Sequence, residues 1–408
     1  MPVGIFDSST TFLPSTFSKY SFASAITRLM PGGQAALFGI TSMLQTETAI
    51  NVEHGYWTKT MVFPAVTMSS TALAADVNLS VVSNATMLPG MVLRNQRTLE
   101  QVVVNSVNAN GVQITVQRGV GTTAAAVNNG DVWYQVGTAF EEASVRPNAM
   151  NIAPVKITNL TQIFRNSWAI SGSADQIAVV AGDTNLAESK QECSAFHAVD
   201  IEKALLFGQK SQGTRNGKPF RTMDGMIAIT SNLSYYPSSY SVPNVFTAGS
   251  TTNYTQLEGF FDPLFNQVSD PTASTERVLF VGSNARKVIN NIGRLNGQYQ
   301  IVDGQTSFGL QFSSFKITRG TFRMIEHPLF NSNPDWAKMA IALDLSTFNV
   351  AYLGNRKTQH KGYNQAGDTA QDNGIDAIGG TLTTELTAII KNPPANGVVY
   401  NLTAAAVG

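Results

Sequence analysis

Cys193, His197 and Asp200 are the residues whose types and spacing most resemble a catalytic group. Their offsets of four and seven residues would place a thiol, an imidazole and a carboxylate on one face of a helix. Such a trio could form a nucleophile relay or bind a metal. Nucleophilic triads gather their members from separate elements around a pocket, however, whereas these three would lie side by side on one rigid helix. The pattern therefore favours a packed helix face.

Two glycine-rich stretches resemble nucleotide-binding loops, but neither has the context that phosphate binding needs. Residues 119–124 fit the dinucleotide pattern. The Asn-Asn-Gly turn signal at 128–130 follows so soon that the chain has no room for the phosphate-binding helix. Residues 213–218 have glycines one residue too close together, and Pro219 stands where Ser or Thr would bind magnesium. We expect a turn at the first stretch, a surface loop at the second, and no cofactor, metal site or enzymatic activity. The remaining histidines are isolated and are expected to be structural: His54, His327 and His360.

The composition is poor in charge for a chain of this length. The 408 residues contain 27 Lys and Arg, 27 Asp and Glu, and one Cys, so the formal net charge is zero and 13% of the residues are charged. An ordinary soluble domain has ~25% charged residues. A neutral chain without a basic run is not expected to bind nucleic acid strongly, because phosphate neutralisation needs concentrated cations. One cysteine excludes an intrachain disulfide.

No segment has the hydrophobicity of a membrane span or of a secretion signal. No apolar run reaches the ~18 residues that cross a bilayer. Residues 1–25 contain Asp7, Lys19 and many Ser and Thr, without a basic segment followed by an apolar one. We therefore expect a soluble protein that is made inside the cell and does not bind a membrane. The length predicts two or three folding units at ~150 residues each.

Hydrophobic patterning divides the chain into regions of different character. Residues 1–45 have few hydrophobic repeats, which predicts an extended arm. Within residues 76–136 apolar and polar residues alternate with a period of two, which predicts a small antiparallel module with a tight type I′ turn at 110–111. Residues 155–170 are predicted to be extended and to return alongside residues 57–63.

The second half of the chain changes to a mixed pattern. Residues 184–207 contain neither Pro nor Gly and end before Gly208, which predicts one long helix. Two further helices are predicted at 254–268 and 284–292, with a buried strand at 278–281 between them. A polar loop and the remaining predicted strands follow: the loop at 355–373, and strands at 312–318, 322–326, 338–345, 348–353, 381–390 and 398–402.

Aromatic and arginine side chains flank the strand-rich module. Such residues dominate the cores of protein–protein interfaces, so they are candidate contacts for a neighbouring subunit. The alternative is that the aromatic residues, with Phe164, only pack between the two flanking strands. The candidate interface residues are Trp57, Phe63, Arg146, Arg165 and Trp168.

The order of these elements resembles that of the major capsid proteins of tailed double-stranded DNA phages, which have the Hong Kong 97-type fold. Three short motifs carry the resemblance. Residues 159–164 (NLTQIF), followed by a Ser-Gly pair at 171–172, resemble the returning strand of the E-loop. Residues 203–208 (KALLFG) resemble the end of the spine helix, and residues 221–225 (RTMDG) resemble the connection after it. The resemblance covers about residues 51–402.

The resemblance implies an α+β fold with five segments. They are an N-terminal arm at 1–50, an extended E-loop at 51–172 with a β insertion at about 76–136, a P-domain spine helix and connection at 173–225, an A-domain at 226–375, and C-terminal P-domain strands at 376–408. A minimal E-loop lacks the β insertion. The insertion is therefore expected to decorate the shell or to clamp neighbouring subunits.

The resemblance further implies a structural protein that self-assembles into pentamers and hexamers of an icosahedral head shell around phage double-stranded DNA. Its partners would be other copies of itself, with scaffolding, portal and decoration proteins as further candidates and only weak, sequence-independent DNA contact. Assembly would take place in the host bacterial cytoplasm, and the protein would reside in the virion capsid. Two alternatives stay open: a hydrolase built on Cys193, His197 and Asp200, and a phage decoration protein whose β insertion binds a sugar.

Overall fold

The computed structural model of the chain describes residues 45–59, 63–147, 149, 151, 153–177, 185–236, 240, 242–266, 275–295, 306–307, 310–311, 313–363 and 376–406. Most of the predicted N-terminal arm and part of the predicted polar loop at 355–373 lie outside these residues. The chain divides into two compact units. The first unit is Met1–Tyr56 with Lys156–Gly408, and the second unit is Trp57–Val155.

Strands dominate the beginning of the described chain. It opens with β1 (Gln45–Ala49) and β2 (Glu53–Thr58). The second unit contains six further strands, as its alternating pattern predicts. They are β3 (Ala65–Thr67), β4 (Asn78–Ser80), β5 (Met91–Asn95), β6 (Gln101–Val107), β7 (Gln113–Gln117) and β8 (Val132–Thr138).

The six strands of the second unit form a closed antiparallel barrel. Neighbouring strands pair in the order β3-β8-β5-β6-β7-β4, and Met68 bridges Val81 to join the two end strands. The backbone N–H of Val82 also donates to the carbonyl of Thr67 over 2.9 Å. Closure pairs the end strands with each other, which protects a small β domain from pairing with other chains.

Large apolar side chains fill the barrel interior from alternate positions of its strands. Leu93, Ile114 and Trp133 are fully buried there. The turn between β6 and β7 corrects one expectation. Gly111 has a φ of 80°, but Asn110 does not have a positive φ, and a type I′ turn needs both.

The first unit resumes with β9 (Val155–Leu160), β10 (Gln162–Ser171), the short helix α1 (Gly172–Gln176) and the long helix α2 (Asn185–Phe207). Strand β9 pairs with β2, so the predicted return of the chain alongside the strand near Trp57 holds for this first part. Strand β10 pairs elsewhere, with a strand near the C-terminus. The predicted long helix is confirmed from Asn185 onward.

A hairpin of β11 (Ser211–Arg215) and β12 (Lys218–Thr222) follows the long helix and corrects the surface loop that the sequence predicts at 213–218. Its turn has positive φ at both Asn216 (53°) and Gly217 (71°), as a type I′ turn requires. The remaining elements are α3 (Met226–Ser231), β13 (Val245–Thr247), α4 (Tyr254–Phe261), β14 (Glu276–Val281), α5 (Ser283–Leu295), β15 (Thr306–Ser307), β16 (Leu310–Gln311), β17 (Ser313–Lys316), β18 (Thr321–Glu326), β19 (Ala340–Leu343), β20 (Phe348–Leu353), β21 (Gln359–Tyr363), β22 (Ala377–Ile390) and β23 (Gly397–Tyr400).

Two sheets and the helices packed on them form the body of the first unit. The first sheet has the order β1-β20-β22-β10, and β21 also pairs with β22. The second sheet has the order β13-β23-β19-β14-β18-β17. Helix α2 packs against β10 and β22, and Leu205 of α2 shares a core with Phe280 of the second sheet and Leu386 of the first. This is the α+β architecture, with its long helix before a mixed region, that the sequence predicts.

Candidate assembly interface

His197 of the predicted catalytic group is buried between α2 and the first sheet, with 3% of its surface exposed. Its Nδ1 lies 2.7 Å from Asn166 Oδ1, and its Nε2 lies 2.8 Å from Thr384 Oγ1. Asn166 in turn donates from Nδ2 to Asp200 Oδ2 over 2.8 Å. Both ring nitrogens are therefore engaged by neutral groups, and Asn166 stands between the imidazole and Asp200.

Cys193 does not have the environment of a nucleophile. Burial raises the pKa of its thiol, and burial also lowers the pKa of His197, against the opposing effect of the Asp200 charge. A protonated thiol without a free imidazole beside it has no base to activate it. This geometry supports a packed helix face and gives the hydrolase alternative no support. The described residues also contain no group of three or more His, Cys, Asp or Glu arranged to hold a metal ion.

A second buried histidine joins α2 to the second sheet. His327 follows β18, and its Nε2 lies 2.5 Å from Oε1 of Glu202 in α2. The backbone N–H of Leu329 donates to His327 Nδ1 over 3.3 Å, so Nδ1 accepts a hydrogen bond and Nε2 faces the Glu202 carboxyl. Burial raises the pKa of Glu202, and the hydrogen bond and the charge interaction with His327 oppose this rise in part. Ionised Glu202 is therefore a buried charge whose Oε2 has no hydrogen-bond partner.

Replacing Glu202 by glutamine is expected to stabilise the protein at pH 8 by about 1 kcal/mol, because the amide keeps an oxygen for His327 and removes the buried charge. The carboxyl of Glu202 has a raised pKa in the fold, so its penalty is present above that pKa and disappears as it protonates. The gain from Glu202→Gln should therefore shrink as the pH falls toward the ordinary carboxyl pKa. Denaturant midpoints between pH 8 and pH 5 measure this difference.

Glu192→Gln on the exposed side of the same helix is the matched control and should leave the midpoint unchanged at both pH values. A midpoint for Glu202→Gln below that of the wild type at pH 8 would mean that Glu202 pairs with a charged His327 in the fold.

The interface candidates of the second unit are exposed. Trp57 is 67% exposed and Phe63 is 81% exposed, and Arg146 is exposed as well. Single apolar residues at a surface are common, but two large aromatic rings with most of their area in water are costly unless a partner covers them. These three side chains are therefore available for contact with another subunit.

The interface candidates of the first unit, Arg165 and Trp168, differ from each other. Arg165 lies on the exposed side of β10. Trp168 is 4% exposed, and its Nε1 donates to His360 Nε2 over 3.2 Å. Lys190 Nζ lies 4.9 Å from the centre of the Trp168 ring. The Trp168 side chain is packed inside its own subunit against β21 and α2, and not between the two flanking strands that the alternative interpretation named.

The three motifs that carry the family resemblance meet in one buried joint. Asn159 of β9 is 3% exposed and donates from Nδ2 to the carbonyls of Asp224 and Ala388, each over 2.9 Å. Its Oδ1 accepts from the backbone N–H groups of Asp224 and Leu160, also over 2.9 Å each. Every hydrogen-bonding atom of this one amide therefore has a partner on β9, on β22 or in the connection that follows β12.

Glycines let the end of α2 approach the same joint. The N–H of Gly225 donates to the carbonyl of Gly208 over 3.0 Å. A Cβ atom on Gly225 would lie 2.7 Å from the carbonyl oxygen of Ala204, closer than real side chains come. The sequence motifs predict the order of the segments, but their convergence depends on β22, more than 150 residues further along the chain, and no local pattern signals it.

Comparison with known proteins gives this architecture a family. The family model described as SU10 major capsid protein matches residues 8–403. The chain belongs to the SU10 major capsid protein family. It is also 33% identical over 408 residues to the major capsid protein of Pseudomonas phage PaMx41, an alignment that covers 98% of this chain and 96% of that relative. A member of this family is a structural protein of a phage capsid, which confirms the function predicted from the order of its elements.

Solved structures from other particles resemble this capsid protein at low sequence identity. A chain from Mycobacterium phage Bobi is 10% identical with a TM-score of 0.46, covering 97% of this chain and 98% of that one. A chain from the capsid of the native GTA particle is 9% identical with a TM-score of 0.47, covering 98% of this chain and 100% of that one.

Among the described residues of the capsid protein, none of the helices has the length and apolar character of a membrane span.

Proposed function

We propose that copies of this chain assemble into pentamers and hexamers that form the icosahedral head shell around phage double-stranded DNA. The observation that carries the proposal is the family match across residues 8–403. The proposed segments are the N-terminal arm at 1–50, the E-loop at 51–172, the spine helix and connection at 173–225, the A-domain at 226–375, and the terminal P-domain strands at 376–408. The E-loop and the arm would lap over neighbouring subunits.

Assembly through many modest interfaces suits a chain with few charges. Heterologous contacts that close by rotation give rings and shells. Each contact can be weak and reversible during assembly, while the closed shell gains stability from multivalency. A chain in which only 13% of the residues are charged brings little desolvation cost into these contacts. The same neutrality limits the subunit to weak contact with packaged DNA.

The proposal includes partners and a place of assembly. Scaffolding, portal and decoration proteins are further candidate partners besides other copies of the chain. Assembly is proposed to occur in the cytoplasm of the bacterial host, and the subunit is proposed to have no enzymatic activity, since Cys193 lacks an activating base. A hydrolytic activity that disappears in a Cys193→Ala variant with intact assembly would contradict this last point.

The direct test is electron microscopy of the protein coexpressed with the products of its neighbouring genes. Closed shells containing a 43.7 kDa subunit are the expected result. If the protein sediments only as a monomer under these conditions and no shells form, the proposed function is wrong.

Combined replacement of Trp57 and Phe63 by alanine is expected to lower shell yield about tenfold or more, because exposed aromatic rings are typical anchors of an interface. The thermal unfolding midpoint of the free subunit should change little, since both rings are mostly in water already. Shell yield by sedimentation and the midpoint by calorimetry measure the two effects.

Val242→Ser, at an apolar side chain that is 68% exposed in the first unit, is the matched control for the loss of exposed apolar area. Trp168→Ala should behave in the opposite way and lower the midpoint, because Trp168 is packed inside the subunit. Shells at normal yield from the Trp57 and Phe63 variant would remove these two residues from the interface.

A further inference from the structure

The β11–β12 hairpin presents two cations and an aromatic ring on one face. Arg215 is paired with Lys218 and Gly213 with Phe220, and paired residues of adjacent strands point to the same face of a ribbon. All four residues are exposed. Glycine has no side chain to cover the ring opposite it, and Phe220 is 43% exposed. The face therefore combines positive charge at the tip with uncovered apolar area beside it.

The charges at the tip are unfavourable within the subunit. Like charges directly opposite each other on paired strands destabilise the pair. Residues 209–222 contain no Asp or Glu, and within the described part of the chain neither Arg215 nor Lys218 has an ion-pair partner. An anionic partner outside the subunit would relieve this repulsion.

Hydrogen bonds and an ion pair hold the base of the hairpin, whereas its tip is exposed. Lys210 donates from its backbone N–H to Asp224 Oδ1 and from Nζ to the carbonyl of Thr158, both over 2.7 Å. Arg221 Nη2 lies 3.6 Å from Oε1 of the buried Glu385. A two-stranded ribbon is at best marginally stable alone in water. These anchors keep the ribbon formed and hold its charged face outward.

An acidic turn in the second unit has the opposite charge to the hairpin tip and also exposes apolar side chains. Glu141 and Glu142 are adjacent and exposed, and neither has an ion-pair partner among the described residues. Apolar side chains flank them, with Phe140 46% exposed and Val145 89% exposed. Two carboxylates between exposed apolar groups match two cations beside an exposed ring in both charge and hydrophobicity.

We propose that the Arg215, Lys218 and Phe220 face of the hairpin docks on the Glu141-Glu142 turn of a second copy of this chain. This inference rests on the proposed function, because it names one of the contacts by which copies would assemble. A protein partner fits the hairpin better than DNA does. Two phosphate contacts give only weak binding, and an exposed aromatic ring near arginine is typical of a protein interface.

Charge reversal in both partners tests the docking. In the same coexpression, Arg215→Glu with Lys218→Glu should lower shell yield about tenfold, as should Glu141→Lys with Glu142→Lys, because like charges then oppose each other across the contact. Combining all four substitutions should restore most of the yield. Lys287→Glu with Lys316→Glu, at two other exposed lysines, is the control for the change in net charge.

The outcomes separate this inference from the proposed function. If the wild type forms shells and both charge-reversed variants also form them at normal yield, the docking is wrong and the proposed function stands. If the wild type forms no shells, the proposed function itself is wrong. Loss of yield without recovery in the combined variant would also overturn the pairing. A hairpin variant that assembles normally but no longer shifts duplex DNA in a gel would show that the tip binds phosphate instead.

Discussion

Replacing Arg118 by alanine is expected to destabilise the barrel of the second unit by about 3–5 kcal/mol, because removing one partner of a buried ion pair leaves the other charge uncompensated. Arg118 donates from Nε to Glu100 Oε1 over 2.7 Å and from Nη2 to Glu100 Oε2 over 2.8 Å. The two side chains are 6% and 0% exposed. Loss of several kcal/mol is a large share of the stability of a domain of this size.

The same guanidinium holds two loops of the barrel together. Its Nη1 donates to the carbonyls of Leu73 and Asp76 over 3.0 and 2.9 Å, and its Nη2 also donates to the carbonyl of Ala125. Burial by itself would raise the pKa of Glu100, but the hydrogen bonds from Arg118 and from the backbone outweigh it and hold the pKa below its usual value. The stability from this pair is therefore present at neutral pH and lost as acid protonates Glu100.

Hydrogen exchange on the full-length protein measures the effect where it is expected. Peptides from β5, β6 and β7 should lose protection in Arg118→Ala, while peptides from α2 and β22 should keep theirs. Arg97→Ala is the matched control, because Arg97 forms a similar bidentate pair with Asp131 at 48% exposure, and exposed pairs contribute little. Equal protection of the barrel in wild type and Arg118→Ala would mean that Glu100 is stable there without its partner.

The strands of this barrel follow from the sequence, but their closure does not. Val102 and Val104 are buried on one side of β6, and such alternation is visible in the chain itself. Closure depends on the pairing of Met68 with Val81, and Arg118 also ties the loop that contains Asp76 to the loop that contains Ala125. These contacts depend on side-chain geometry between distant residues, which periodicity does not encode.

The turn of the β11–β12 hairpin has a local sequence signal of its own. Asn216-Gly217 is the dipeptide most typical of a type I′ turn. Its glycine also resembles part of a phosphate loop, and the flanking residues are polar, so the sequence pattern predicts a loop. Strands that are exposed on both faces have no alternating apolar pattern, so only the turn residues between them indicate a hairpin in the sequence.

Trp168 illustrates why the candidate interface is only partly predictable. Its type and position match those of an interface anchor, as do those of Trp57. His360, which packs against Trp168, comes from β21 and lies 192 residues away in the sequence. Burial of an aromatic ring by a distant strand does not change the sequence pattern around that ring, so its exposure is known only from the structure.

Replacing Asn159 by alanine is expected to destabilise the first unit by about 3–5 kcal/mol, because several buried backbone groups lose their partner at once and each costs about 1–3 kcal/mol when unsatisfied. The carbonyls of Asp224 and Ala388 and the N–H of Asp224 depend on this side chain. Denaturant unfolding followed by far-ultraviolet circular dichroism measures the loss. Asn51→Ala, at an exposed asparagine that accepts from the N–H of Val52, is the control and should be nearly neutral.

The consequence of Asn159→Ala for assembly follows from where the joint lies. Asn159 ties the strand that returns from the second unit to β22 and to the base of the β11–β12 hairpin, through Asp224. A weakened joint should therefore lower shell yield even at temperatures where the subunit stays folded, whereas a surface anchor such as Trp57 should lower yield without lowering stability. Normal stability in Asn159→Ala would mean that water replaces the amide in the joint, and the buried hydrogen bonds would then not be what holds these three segments together.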